Sequence, residues 1–151
     1  EDTLSLHDAL PILVDAPGLP ALLQTTDLML PIPLSPDKLR ARGYNQAWEL
    51  AKALRRQLHD APPALPGLLQ RKPQAATQHE LARAQRFDNV LQAYAVDPAA
   101  GPRLRGRRIL LVDDVMTTGA TLQSAATLLL AAGAAQVSAL VFARTPAPTL
   151  D

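Results

Sequence analysis

Residues 109–121 read ILLVDDVMTTGAT, and the reading of this stretch decides the fold. Residues 109–112 are continuously apolar, as in a strand buried on both faces. They run into two adjacent acids, Asp113 and Asp114, and then into a short loop of threonines around one glycine. Beyond the loop, LQSAATLLLAAG (residues 122–133) is rich in alanine and leucine and predicts a helix that stops at Gly133. A strand, a polar loop and a helix in this order form the repeating unit of an α/β domain.

In open parallel sheets, ligands sit beyond the carboxyl ends of the strands. Asp113 and Asp114 lie at such an end. The loop behind them aims backbone N–H groups and the positive end of a helix at one spot, which favours phosphate. Thr117, Thr118 and Thr121 add hydroxyl donors, and Gly119 lets the backbone approach closely. The carboxylates cannot bind that phosphate themselves, because like charges repel. They can accept hydrogen bonds from sugar hydroxyls or hold a magnesium ion through water. An acid pair beside a phosphate cradle suggests a phosphorylated ribose. The alternative is an edge loop in which Asp114 only caps a helix.

Working outward, QVSALVFAR (residues 136–144) predicts a last strand, and residues 145–151 a tail. Upstream, residues 97–108 read as a loop and AYAV (residues 93–96) as a strand. Residues 71–89 are polar and basic; Thr77 and Glu80 have capping-box spacing, and His79 reads as a surface residue. DAPPALPGLL (residues 60–69) is a proline-rich connection. Residues 45–58 place Ala47, Leu50, Ala51, Leu54 and Leu58 at the spacing of one helix face, with Asn45 as N-cap and Trp48 as a core residue. Residues 34–46 read as a basic loop carrying Lys38, Arg40 and Arg42. DLMLPIP (residues 27–33) predicts a short buried strand, and residues 13–25 the tail of a helix or a loop. Alternating strands and helices give an α/β domain with a mainly parallel central sheet flanked by helices.

The bulk numbers narrow the class. A chain of 151 residues suits one domain, and 48% hydrophobic with 19% charged residues is an ordinary globular composition. The absence of cysteine excludes disulfides and thiolate zinc sites from this stretch. No apolar run is long enough for a membrane span, and the expectation is a soluble cytoplasmic domain. Aromatic residues at 3% and a net charge of +1 argue against a basic, stacking groove for direct nucleic-acid binding.

The beginning of the chain is read separately. TLSLHDALPI (residues 3–12) back-translates in one frame to ACTCTTTCCCTACACGACGCTCTTCCGATC, a common sequencing adapter. Residues 1–12 are therefore expected to be an adapter artefact, residues 13–146 the domain, and residues 147–151 the tail.

The motif LLVDDVMTTGATL resembles the phosphoribosyl diphosphate (PRPP) signature of type I phosphoribosyltransferases. The resemblance implies that Asp113 and Asp114 meet the ribose hydroxyls and hold Mg2+ indirectly. It implies that Met116, Thr117, Thr118, Gly119, Ala120 and Thr121 seat the 5′-phosphate. A second motif, Pro31, Pro33, then Arg40, Arg42, Gly43, Tyr44, Asn45 and Gln46, is similar to that of ComF-type competence proteins. A third, with Arg71, Thr77, Gln78, Leu81, Arg83, Arg86 and Asn89, is similar to the same family's middle segment. A diphosphate leaving group needs cationic or N–H donors. Arg40, Arg42 and the Gly43 backbone are the candidates for binding pyrophosphate, the alternative being a solvated charged loop. By resemblance, Arg83 and Arg86 belong to a flap over the substrate. The implied chemistry is Mg2+-assisted transfer of 5-phosphoribosyl from PRPP to a nitrogen nucleophile, an unidentified nucleobase or amine, with release of pyrophosphate. A sensor of PRPP or nucleotide in DNA uptake is the alternative. The implied partners include DNA-uptake proteins and a second copy in a homodimer. ComF-type proteins commonly begin with a cysteine-rich zinc module; the adapter reading accounts for its absence here.

Overall fold

A computed structural model describes residues 17–72, 93–116 and 119–144. In chain order its elements are α1 (Leu19–Gln24), β1 (Leu28–Pro31), α2 (Pro36–Arg42), α3 (Gln46–Gln57), β2 (Leu69–Arg71), β3 (Tyr94–Val96), α4 (Gly101–Leu104), β4 (Arg108–Met116), α5 (Ala120–Ala131) and β5 (Gln136–Arg144). The expectations at Thr77, His79, Glu80, Arg83 and Arg86, and at both ends of the chain, fall outside the described residues.

β4 is the centre of a three-stranded sheet, with β1 and β5 parallel to it on either side. The mainly parallel sheet expected from the sequence is therefore present. β1 also pairs on its outer edge: the Met29 N–H donates to Pro63 O at 2.8 Å and the Leu65 N–H to Met29 O at 3.1 Å. The proline-rich connection thus runs along the sheet. β2 and β3 form a separate antiparallel pair.

Strand alternation explains the two-sided core. Leu28 and Leu30 of β1 and Ile109 and Leu111 of β4 share one buried cluster with Leu122, Ala125 and Leu129 of α5. Met29, Leu110 and Val112 point the other way and join Leu50, Ala51 and Leu54 of α3. Side chains on a strand alternate faces, so an unbroken apolar run is what a strand with helices on both sides requires.

Three local expectations are corrected. Residues 34–46 are not simply a loop: Ser35 accepts the Lys38 N–H at 3.4 Å, Pro36 follows at the first helical position, and α2 results. This helix buries no residue, so it left no apolar periodicity to read. Residues 97–108 hold a single 3₁₀ turn, Pro98–Ala100, and α4, whose Leu104 is buried. The central strand does not stop at Val112 but continues through both acids to Met116.

At the opposite end of the sheet, Asp27 clamps β1 to β4. Its carboxylate accepts from the Arg108 backbone N–H at 2.8 Å, from Nε at 3.1 Å and from the guanidinium terminus at 3.0 Å. These hydrogen bonds favour the ionised form and pull the Asp27 carboxyl down to about 2. A depressed carboxyl contributes stability above its unfolded range, lost as pH falls through about 2. The melting temperature is expected to drop from pH 4 to pH 2, and Asp27→Asn should flatten that part of the curve. An unchanged acid limb in the variant would remove Asp27 from the account.

Candidate functional site

The carboxyl end of the sheet is stitched together by backbone geometry. The Ile32 N–H donates to Val112 O at 2.9 Å, which carries β1's register one residue past its end. Ile32 O in turn accepts from Asn45 Nδ2 at 3.1 Å. Asn45 Oδ1 accepts the Ala47 N–H at 2.9 Å, so one side chain both caps α3 and ties it to β1. The expected N-cap is confirmed. Its second role depends on a partner 13 positions away and is not readable from local sequence. The start of α3 is thereby held at the strand end that carries the acids.

Asp113 and Asp114 follow Val112 on β4, with Asp113 opposite Val141 of β5. Both are half-buried. The Asp113 carboxyl accepts the Asp114 N–H at 2.9 Å. Burial, above all, pushes Asp113 up from the ordinary 3.8 to about 7. The side-chain hydrogen bond with Asp114 and that neighbour's charge add to the rise, while the Asp114 N–H opposes it. The acids share one site and compete there for negative charge, which a cation or a set of hydroxyl donors would relieve.

This raised carboxyl has a consequence for folding. The folded chain holds the proton more tightly than the unfolded chain, so its contribution is full below 3.8 and is lost as pH rises through about 7. In the absence of ligand, the melting temperature is expected to fall from pH 5 to pH 8. Asp113→Asn should remove most of that slope; a slope of equal size in the variant would contradict the assignment.

Behind the acids, β4 ends at Met116, and Gly119 and Ala120 lead into α5. Gly119 has φ of 80°, a left-handed conformation that only glycine adopts without cost. The Gln123 N–H donates to Gly119 O at 2.9 Å, closing the first turn, in which Thr121 is half-buried. The N-terminus of α5 therefore opens where the strand with the acids ends. Thr117 and Thr118 fall outside the described residues.

The basic segment reaches the same sheet end through β1, with a qualification. Arg40 and Arg42 lie in the last turn of α2, and Arg40 pairs with Asp37. The Gly43 N–H donates to Leu39 O at 2.8 Å as the cap of α2, so it is already engaged. Tyr44 is exposed. Among the described residues, no three acidic, histidine or cysteine side chains group as a metal cage. A lone carboxylate pair suits a magnesium ion that keeps most of its water or substrate oxygens.

The phosphoribosyl transferase domain family matches residues 45–151. The chain is 35% identical over 126 residues to DNA utilization protein YhgH of Escherichia coli O157:H7, covering 82% of this chain and 52% of that protein. It is 33% identical over 122 residues to Competence protein F of Haemophilus influenzae, covering 81% and 52%. The chain thus spans about half the length of these curated relatives. A purine phosphoribosyltransferase structure from Pyrococcus horikoshii Ot3 superposes with TM-score 0.49 at 15% identity, over 95% of this chain and 78% of that one.

Proposed function

The chain belongs to the phosphoribosyl transferase domain family, and from that premise we propose that it binds PRPP at the carboxyl end of β4. The observation that supports this reading most strongly is the half-buried acid pair at the strand end, followed at once by the glycine-opened start of α5. Asp113 and Asp114 accept hydrogen bonds from the two ribose hydroxyls. The backbone from Met116 to Thr121 takes the 5′-phosphate, which gains from the N-terminal end of α5. Arg40 and Arg42 face the diphosphate once Arg40 exchanges Asp37 for the ligand. Asp113 and Asp114 would hold a magnesium ion, which would supply positive charge against the diphosphate.

Transfer breaks the bond between ribose C1 and the diphosphate oxygen, which departs with the electron pair. A nitrogen nucleophile supplies the pair for the new C1–N bond and loses its proton to solvent. The transition state places positive charge on the ribosyl ring. An acid pair gripping the ring hydroxyls and cations on the leaving group both stabilise it more than the ground state.

A second reading has its own support. The two relatives are named for DNA utilization and competence, not for a base they modify. In that reading the domain binds PRPP as a sensor in DNA uptake, without turnover. Pyrophosphate release, measured with PRPP, Mg2+ and a panel of nucleobases and amines, separates the two. Release with one acceptor establishes transfer; none with any, at intact PRPP affinity, establishes the sensor. No PRPP binding by calorimetry would defeat both.

A further inference from the structure

A further cavity has neither acid in its lining. It measures about 370 Å³ and is lined by Trp48, Lys52, Arg55 and Arg56 of α3 and by Ala64 of the connection bridged to β1. Residues 48, 52, 55 and 56 form one stripe of the helix, beside the buried stripe of Leu50, Ala51 and Leu54. The volume falls in the range of about 300–1,000 Å³ typical of small-molecule sites.

The charges in this groove are unbalanced. Glu49 holds Lys52 at 2.7 Å, and the Lys52 ammonium lies 5.5 Å from the centre of the Trp48 ring. Among the described residues, no carboxylate pairs with Arg55 or Arg56, and both are exposed. Their place in the last turn of α3 suits the helix's negative end. That accounts for two cations there, but not for the cavity beside them or the half-buried indole at its other end.

We propose that this groove is a second ligand site, distinct from the acid pair, which takes a nucleoside monophosphate. A flat base packs against Trp48 and Ala64, and the phosphate is held by the guanidinium forks of Arg55 and Arg56. The planar guanidinium fork matches the several oxygens of a phosphate dianion. The indole supplies a broad face for a planar ring. Trp48 lies in the first turn of α3, which Asn45 ties to Ile32, so occupancy would touch that turn.

Trp48 is the chain's sole tryptophan, so its fluorescence reports this site directly. Titration with AMP is expected to change the emission saturably, with a much weaker response to adenosine or inorganic phosphate alone. Arg55→Gln with Arg56→Gln should raise the half-saturation concentration at least tenfold (order of magnitude for a lost charged phosphate contact). Asp113→Asn with Asp114→Asn should leave it unchanged. Circular dichroism checks folding, and Arg55→Lys with Arg56→Lys, which keeps charge and loses the forks, replaces the glutamine variant should that one not fold. No saturable change at millimolar AMP overturns the proposal, as does an equal response in the arginine variants. Loss of response in the aspartate variant would place the nucleotide at the acid pair instead. A single-stranded oligonucleotide that binds far more tightly than AMP would make the groove a nucleic-acid surface, again against the proposal.

Discussion

Replacing Asp113 and Asp114 together by alanine is expected to weaken Mg2+-dependent PRPP binding about a hundredfold or more, read by calorimetry. Each charged hydrogen bond lost contributes roughly 1.5–3 kcal/mol, and about 1.4 kcal/mol is a factor of ten in affinity. The same change should not unfold the chain. Asp113 is held against its preference for charge by burial and by Asp114, so its removal relieves the ligand-free fold above pH 7. Lower affinity with an equal or higher melting temperature at pH 8 is the signature of a site whose strain serves binding. Unchanged affinity would exclude the acids from the site; a collapsed fold would make them structural.

The largest loss of stability is expected at the centre of β4. Leu111 is 1% exposed and packs with Ile109, Leu122 and Leu129 between strand and helix. Leu111→Ala should cost about 2–5 kcal/mol in urea unfolding, the transfer loss of the side chain plus the cavity left behind. Leu130→Ala, at a residue of the same helix that is 50% exposed, should stay within about 0.5 kcal/mol. Leu111 also lies two residues before Asp113, so its truncation should weaken PRPP binding through misplacement of the acid. Comparable costs at both leucines would mean that the sheet–helix core does not carry the stability.

What the sequence disclosed follows from how each element is stabilised. β4 and β5 were legible because continuous or alternating apolar residues are the direct imprint of burial. α3 was legible twice over, through Leu50, Ala51 and Leu54 on one face and through Asn45 at its start. α2 was missed because nothing in it is buried; only Ser35 followed by Pro36 marked its beginning. The extension of β4 through Asp113 and Asp114 was missed because charged residues ordinarily end a buried strand. Pairing with β5, which opposes Asp113 to Val141 and Met116 to Arg144, overrides that preference.

The site was legible as a set of residue types and less so as a set of contacts. The acids and the glycine-opened helix lie together at one sheet end, as the motif implied. Arg40 and Gly43 were expected as donors to a diphosphate, but Asp37 and Leu39 O already engage them. Such local partners are invisible to a reading that counts charges. Trp48 is a related case: its spacing placed it in the core, and it does pack against the buried cluster. Half of its role lies outside, under Lys52 and along the groove.

A structure of the complex with PRPP and Mg2+ tests the central claim most directly. The account predicts both ribose hydroxyls within hydrogen-bonding distance of Asp113 and Asp114, and the 5′-phosphate against the backbone that leads from Met116 into α5. A ribose turned away from the two carboxylates, or a 5′-phosphate seated on Arg40 and Arg42 with the diphosphate at α5, would contradict it.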